Sequence, residues 1–234
     1  MRRTLIAIAA LLATTTATAA QSVWLGGRAG TFGVGFDVSV AANDWFVLRG
    51  GTGGHNAYTD LTSVSRLADN RTGTLQFPEM IYTIGADIEM GNFRIGGGML
   101  YKSEDPYYAI KLGDGATIDI GEGSYTEPEV TQLTTTLHSE PWAPYVLVGF
   151  GQHNASGLGL FLDVGVAFLD HPELSMSAKG DPSVLRSRGF RDDLRAEQGN
   201  LRDDLGDLVN FWPIFNLGIR YGIGGDDRGR RGRR

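Results

Sequence analysis

Residues 157–168 read Gly157-Leu158-Gly159-Leu160-Phe161-Leu162-Asp163-Val164-Gly165-Val166-Ala167-Phe168, and their reading decides the fold. In an extended chain Leu158, Leu160, Leu162, Val164, Val166 and Phe168 share one face, with Gly157, Gly159, Phe161, Asp163, Gly165 and Ala167 on the other. A soluble sandwich or a lipocalin-like barrel also alternates, but its solvent face would be rich in Lys, Glu and Thr. Here the face opposite the apolar one is mostly glycine with one charge. That suits a narrow, tightly curved lumen whose outer wall meets lipid.

The same rule holds on either side of this segment. In Thr31 to Val40, Phe32, Val34, Phe36, Val38 and Val40 oppose Thr31, Gly33, Gly35, Asp37 and Ser39. A turn at Ala42-Asn43-Asp44 leads into Trp45 to Gly53 and sets Phe46 and Leu48 against Val40 and Val38, with Arg49 against Asp37. A second hairpin, Met80 to Glu89 and Asn92 to Lys102, turns at Met90-Gly91, which places Ile88 against Phe93, Ala86 against Ile95 and Asp87 against Arg94. In the last strand, Ile214 to Ile223, Phe215, Leu217, Ile219, Tyr221 and Ile223 oppose Asn216, Gly218, Arg220 and Gly222. The inward charges Asp37, Arg49, Asp87, Arg94, Asp163 and Arg220 form the candidate site, a charge network bridging the lumen.

Weaker strands at Ser22 to Arg28, Thr131 to His138 and Tyr145 to Gly151, and a return strand through Leu174, Met176 and Ala178, bring the count to ten, or to eight if weak neighbours merge. Short connections at 42–44, 90–91, 139–143 and 170–172 are expected at the periplasmic rim, and 55–74, 103–126, 152–156 and 180–211 outside. Phe190 to Val209 departs from this pattern: Leu194, Leu201, Leu205 and Leu208 recur at helical spacing among Asp and Arg, predicting an amphipathic helix on a barrel rim. Trp24, Trp45, Trp142 and Trp212 all fall near strand ends, where interfacial aromatic girdles are expected. The fold class is therefore an all-β, antiparallel, closed transmembrane barrel of eight to ten strands, with ten the working count and one helix before the last strand.

The N-terminus supplies the route to a membrane. Arg2 and Arg3 precede the apolar run Leu5 to Leu12 and the small-residue stretch Ala13 to Ala20, the form of a signal peptide cleaved after Ala19 or Ala20. The apolar run is too short to span a bilayer, which takes about 20 helical residues. With the leader go two of the 21 basic residues, against 27 acidic ones, so the exported domain at 21–223 is acidic and unlike a nucleic-acid binder. A basic tail, 224–234, follows. The absence of cysteine excludes a lipoprotein anchor, disulfides and thiolate chemistry. Glycine, at 34 residues, is about twice as frequent as the roughly 7% of average proteins, yet sits inside the strands without a collagen period.

Several stretches resemble the small OmpA-like and OmpW-like outer-membrane barrels, in particular a group of proteobacterial barrels without an assigned activity. They are Gly30 to Phe36, Asn43 to Gly51, Pro144 to Gly151, Asp163 to Val166 and Trp212 to Tyr221. The resemblance implies residence in the outer membrane of a Gram-negative bacterium as a monomer. The implied partners are outer-membrane lipid, lipopolysaccharide and the barrel-assembly machinery. The chain departs from that class at its end, where Gly222-Ile223 and the basic tail stand in place of a terminal aromatic residue.

No catalytic set is legible. His55, His138, His153 and His171 fall in or beside predicted loops, without the arrangements of lipid A deacylases or outer-membrane phospholipases. No two histidines have ligand spacing, the acidic runs lack the calcium-loop pattern, and Gly50-Gly51-Thr52-Gly53-Gly54 does not open a helix as a phosphate loop would. The expected function is a non-enzymatic structural or surface-binding barrel without cofactor or metal. A small-solute channel and a lipid-acting barrel enzyme are the alternatives.

Overall fold

A computed structural model describes residues 22–55, 59–60, 70–151 and 157–223. The expected leader, the basic tail and His153 lie outside the described residues. Eight antiparallel strands close on themselves: β1 (Val23–Gly30), β2 (Val34–Ala41), β3 (Phe46–Gly54), β6 (Met80–Met90), β7 (Phe93–Lys102), β12 (Trp142–Phe150), β13 (Gly157–Phe168) and β15 (Phe211–Ile223). Each pairs with its neighbour in that order, and β15 returns to β1 with Val23 opposite Ile223. Closure leaves the barrel no free edge, the condition under which strands can cross a lipid core.

The count of ten is corrected to eight. Two of the expected barrel strands, β11 (Val130–His138) and β14 (Glu173–Gly180), leave the barrel for a second sheet. There they join β8 (Tyr107–Leu112), β5 (Arg71–Gln76) and β4 (Thr59–Asp60) in the order β14-β11-β8-β5-β4. The connections at 139–143 and 170–172 therefore do not share the rim of the turns at 42–44 and 90–91, contrary to expectation. Each joins a barrel strand to its extension in the cap, on the rim opposite the chain termini. Conversely, the strand ends Phe150 and Gly157 lie at the same rim as Val23 and Ile223, because Phe150 pairs with Phe93 beside the β6–β7 turn and Gly157 pairs with Gly222.

Both hairpin registers are also corrected, each by two residues. Val40 pairs with Leu48 and Ser39 with Arg49, so Asp37 faces Gly51. In the second hairpin the two turn residues are Gly91 and Asn92, Met90 pairs with Phe93, and Asp87 faces Gly96. Gly91 adopts φ 68, the left-handed region that such a turn demands and that glycine enters without strain. A shift of two preserves which face each side chain takes, so the inside-outside assignment is unaffected.

The outer wall is a belt of exposed apolar side chains, Leu158, Leu160, Val164, Phe215, Leu217 and Ile219 among them. Aromatic clusters mark its two rims. Tyr82, Tyr101 and Trp142 adjoin one another beside the cap, with centroids 6.2 and 5.1 Å apart, and Phe168 meets Phe211 at 5.8 Å. Phe93 meets Phe150 at 5.6 Å at the terminal rim. Only two tryptophans join these girdles: Trp45 and Trp142 are 55% and 51% exposed, whereas Trp24 and Trp212 are 4% and 7% exposed and point into the lumen. Proximity to a strand end did not distinguish the two cases; parity along the strand does, since Trp212 shares its face with Ile214 and Asn216.

The cap, which also carries a separate hairpin of β9 (Thr117–Ile120) and β10 (Gly123–Thr126), has its own core. Leu112, Ala116, Ile118, Ile120, Val130, Leu133 and Phe190 are buried together, with Met176, Ala178 and Leu194 packed on them. After the single turn α1 (Pro182–Leu185), the predicted helix forms as α2 (Arg188–Leu205), capped by the Ser187 hydroxyl, which accepts from Phe190 N. A short 3-10 segment, Gly206–Asn210, joins it to β15. Helix α2 is fastened by side chains as well as by Phe190: Tyr125 Oη donates to Asp193 at 2.5 Å, Gly121 N to Glu197 at 3.0 Å and Gln198 to the Leu174 carbonyl at 2.8 Å.

Candidate functional site

The lumen is filled in layers. Towards the termini lie Trp24, Ala41 and Val47. Towards the cap lies a larger apolar plug that includes Phe32, Ile81, Leu100, Tyr145, Trp212 and Ile214. All six predicted charges, Asp37, Arg49, Asp87, Arg94, Asp163 and Arg220, are buried in the same lumen.

Four of the six form a cluster. Asp163 accepts from Arg49 Nη1 at 2.7 Å and from Arg94 Nη2. Asp87 Oδ2 lies 3.6 Å from Arg49 Nε and 3.3 Å from Arg94 Nε, close enough to pair but not aligned as hydrogen bonds. Two guanidiniums also lean on Phe161, Arg220 at 4.3 Å and Arg94 at 5.5 Å from the ring centroid. Glycines make the room. A Cβ at Gly149 would overlap the Arg94 side chain, and one at Gly96 would overlap the Asp87 carboxylate. The glycine surplus read from the sequence is thus the floor on which the charges lie.

Two further polar lumen residues lie outside the predicted charge network. Arg28 is buried, its Nη2 donating to Thr83 Oγ1 at 3.3 Å and its guanidinium 5.1 Å from the Phe32 ring. Gly26-Gly27 interrupts the alternation just before it, so its face was not readable. Asn216, fully buried, accepts from Phe32 N at 3.2 Å and so holds the β1–β2 turn down into the barrel mouth.

A second polar group lies where the barrel meets the cap. Lys102 Nζ binds Asp105 Oδ1 and donates to the Ser139 carbonyl at 3.1 Å. His138 Nδ1 is 2.8 Å from Asp105 Oδ2, and its Nε2 is 2.8 Å from Ser175 Oγ. Partial burial works to raise the Asp105 pKa, but hydrogen bonds from Lys102 and His138 outweigh it and hold the carboxyl below its ordinary value. Sequence spacing could not have joined these residues, because β11 and β14 meet only through the register that sets Thr136 opposite Ser175. His55 stacks on Phe77 at 4.9 Å and His171 contacts Asp170 at 2.8 Å; neither joins such a group. Among the described residues no three His, Asp or Glu side chains are grouped to hold a metal.

The fold and the filled lumen define the class, a small closed transmembrane β-barrel of eight strands carrying a folded cap on one rim. Two solved structures share that fold. CarO2 of Acinetobacter baumannii superposes with a TM-score of 0.63 at 17% identity, covering 86% of this chain and 98% of that one. CarO of the same organism gives 0.61 at 15% identity, covering 85% and 96%. No protein-family model and no curated protein matches the sequence.

Proposed function

We propose that this is a non-conducting outer-membrane barrel whose lumen is structural and whose working surface is the cap, a surface-binding rather than a solute-passing protein. The observation that carries the reading is the filled lumen: the Arg49–Asp163–Arg94–Asp87 cluster is almost fully buried, and apolar clusters around Trp24 and around Tyr145 and Trp212 share the lumen with it. The apolar belt between two aromatic rims supports placement in a bilayer. The resemblance to outer-membrane barrels, and the expected leader, support the outer membrane in particular, entered through the barrel-assembly machinery. Closure by one chain supports a monomer in contact with lipid and lipopolysaccharide.

The outer face of the cap sheet is mainly polar. Its register aligns Thr72, Lys111, Gln132 and Lys179 across four strands, with Thr74, Ala109, Thr134 and Ser177 in the next row. Hydroxyls, an amide and two ammonium groups in such rows favour hydrogen-bonding, anionic partners over apolar ones.

Planar-bilayer recording tests the proposal. Wild-type protein should give little steady conductance, and Arg94→Ala, which opens the cluster, should give more. A large constant wild-type current would put the small-solute channel first.

A further inference from the structure

We propose that Ser175, His138 and Asp105 form a hydrolytic site that cleaves the acyl ester of an outer-leaflet lipid, an activity beyond the binding role assigned to the cap. The geometry is that of an activated serine: Ser175 Oγ 2.8 Å from His138 Nε2, and His138 Nδ1 2.8 Å from an Asp105 carboxylate. Asp105 is anchored in turn by Lys102 and by Ser139 N at 3.4 Å. With Nδ1–H donated to Asp105, Nε2 is left as the acceptor facing the serine hydroxyl.

Position selects the substrate. Leu137, on the opposite face of β11, packs against the apolar plug of the lumen. His138 and Ser175 therefore lie on the outward face of the cap sheet, at the end of the strands nearest the barrel. Trp142, in the aromatic rim, follows His138 by four residues, a reach of at most roughly 13 Å. Aromatic rims mark the head-group level of a bilayer, where the ester carbonyls of lipids lie. His138 is half exposed, so a carbonyl can reach the site from that side.

The chemistry closes with water alone. Ser175 Oγ attacks the ester carbonyl carbon while its proton passes to His138 Nε2. The acyl C–O bond then breaks and the alcohol leaves with that proton. Water, deprotonated by His138, attacks the acyl-serine, and the fatty acid departs as Ser175 recovers its proton. We assign the Thr136 hydroxyl, directly across from Ser175 on the same face, to the developing oxyanion. Asp105 is a positioning residue, holding the histidine ring and its tautomer.

The test uses full-length protein folded in detergent, with folding checked by heat-modifiable migration. The probes are a fluorophosphonate, located by mass spectrometry, and a long-chain p-nitrophenyl ester. Wild type should be labelled at Ser175 and should cleave the ester. Ser175→Ala and His138→Ala should each lower the rate by about 100-fold or more. Ser124→Ala, at an exposed serine of the separate 117–126 hairpin, should leave it unchanged. Asp105→Asn should lower the rate, and Asp105→Glu, which keeps a carboxylate for the histidine, should restore much of it. A folded wild type that is neither labelled nor more active than Ser175→Ala would overturn the proposal. None of these changes should alter bilayer conductance, so failure here is distinguishable from failure of the non-conducting reading.

Discussion

Asp163→Ala is the sharpest test of the lumen. This carboxylate lies between two arginines, accepting from Arg49 Nη1 at 2.7 Å and from Arg94 Nη2, and all three side chains are almost fully buried. Its loss leaves Arg28, Arg49, Arg94 and Arg220 buried with Asp37 and Asp87 as the remaining buried carboxylates among the described residues. Removing one partner of a buried pair typically destabilises by about 3–5 kcal/mol, most of it the cost of stranding the remaining charge. Asp163→Ala should therefore cost on the order of 4 kcal/mol, and Arg94→Ala a similar amount. The double substitution should cost less than the two together, with a coupling of roughly 0.5–3 kcal/mol. Urea unfolding in detergent micelles, followed by gel migration without boiling and by tryptophan emission, measures all three. Trp24 and Trp212 make the emission a direct reporter, because both are buried in the lumen and should shift to the red as it opens. A loss below about 1 kcal/mol, the scale of exposed ion pairs, together with strict additivity, would refute the reasoning. The lumen would then be wet enough to solvate each charge alone, and it would no longer be a barrier to solutes.

Two further outcomes follow from the geometry. Gly149→Ala should destabilise the barrel and mimic part of the Arg94→Ala phenotype in the same unfolding assay, because its methyl would overlap the Arg94 side chain. Gly27→Ala, whose methyl would meet nothing within 4 Å, should be near neutral. The Asp105 junction should be acid-sensitive. Its folded pKa is depressed, so its contribution is complete above the ordinary carboxylate value of about 3.9 and is lost as pH falls through the lower folded value. Proteolysis of the cap at pH 3 and pH 7 should show a larger acid-induced loosening in wild type than in Asp105→Asn, and equal loosening would contradict this.

The faces of the barrel strands were legible because alternation fixes inside and outside independently of register. A two-residue slip moved Asp87 from Arg94 to Gly96 without turning either side chain outward. Register itself was not legible, since it depends on where a turn closes, and Gly91-Asn92 competes with Met90-Gly91 through neighbours that sequence alone does not weigh. The strand count failed for a different reason. Leu174, Met176 and Ala178 alternate as a barrel strand would, but their apolar face covers Phe190 and the rest of the cap core rather than lipid. A period of two reports that one face is buried and is silent about what buries it. Only pairing decides, and β14 pairs with β11 over Leu133 to His138, not with a barrel strand. The same pairing brings Ser175 to His138, residues 37 positions apart that no local motif connects. A site assembled across strand extensions is invisible to spacing for the reason that the lumen network was visible: the network needs only a face, whereas the serine–histidine pair needs a register.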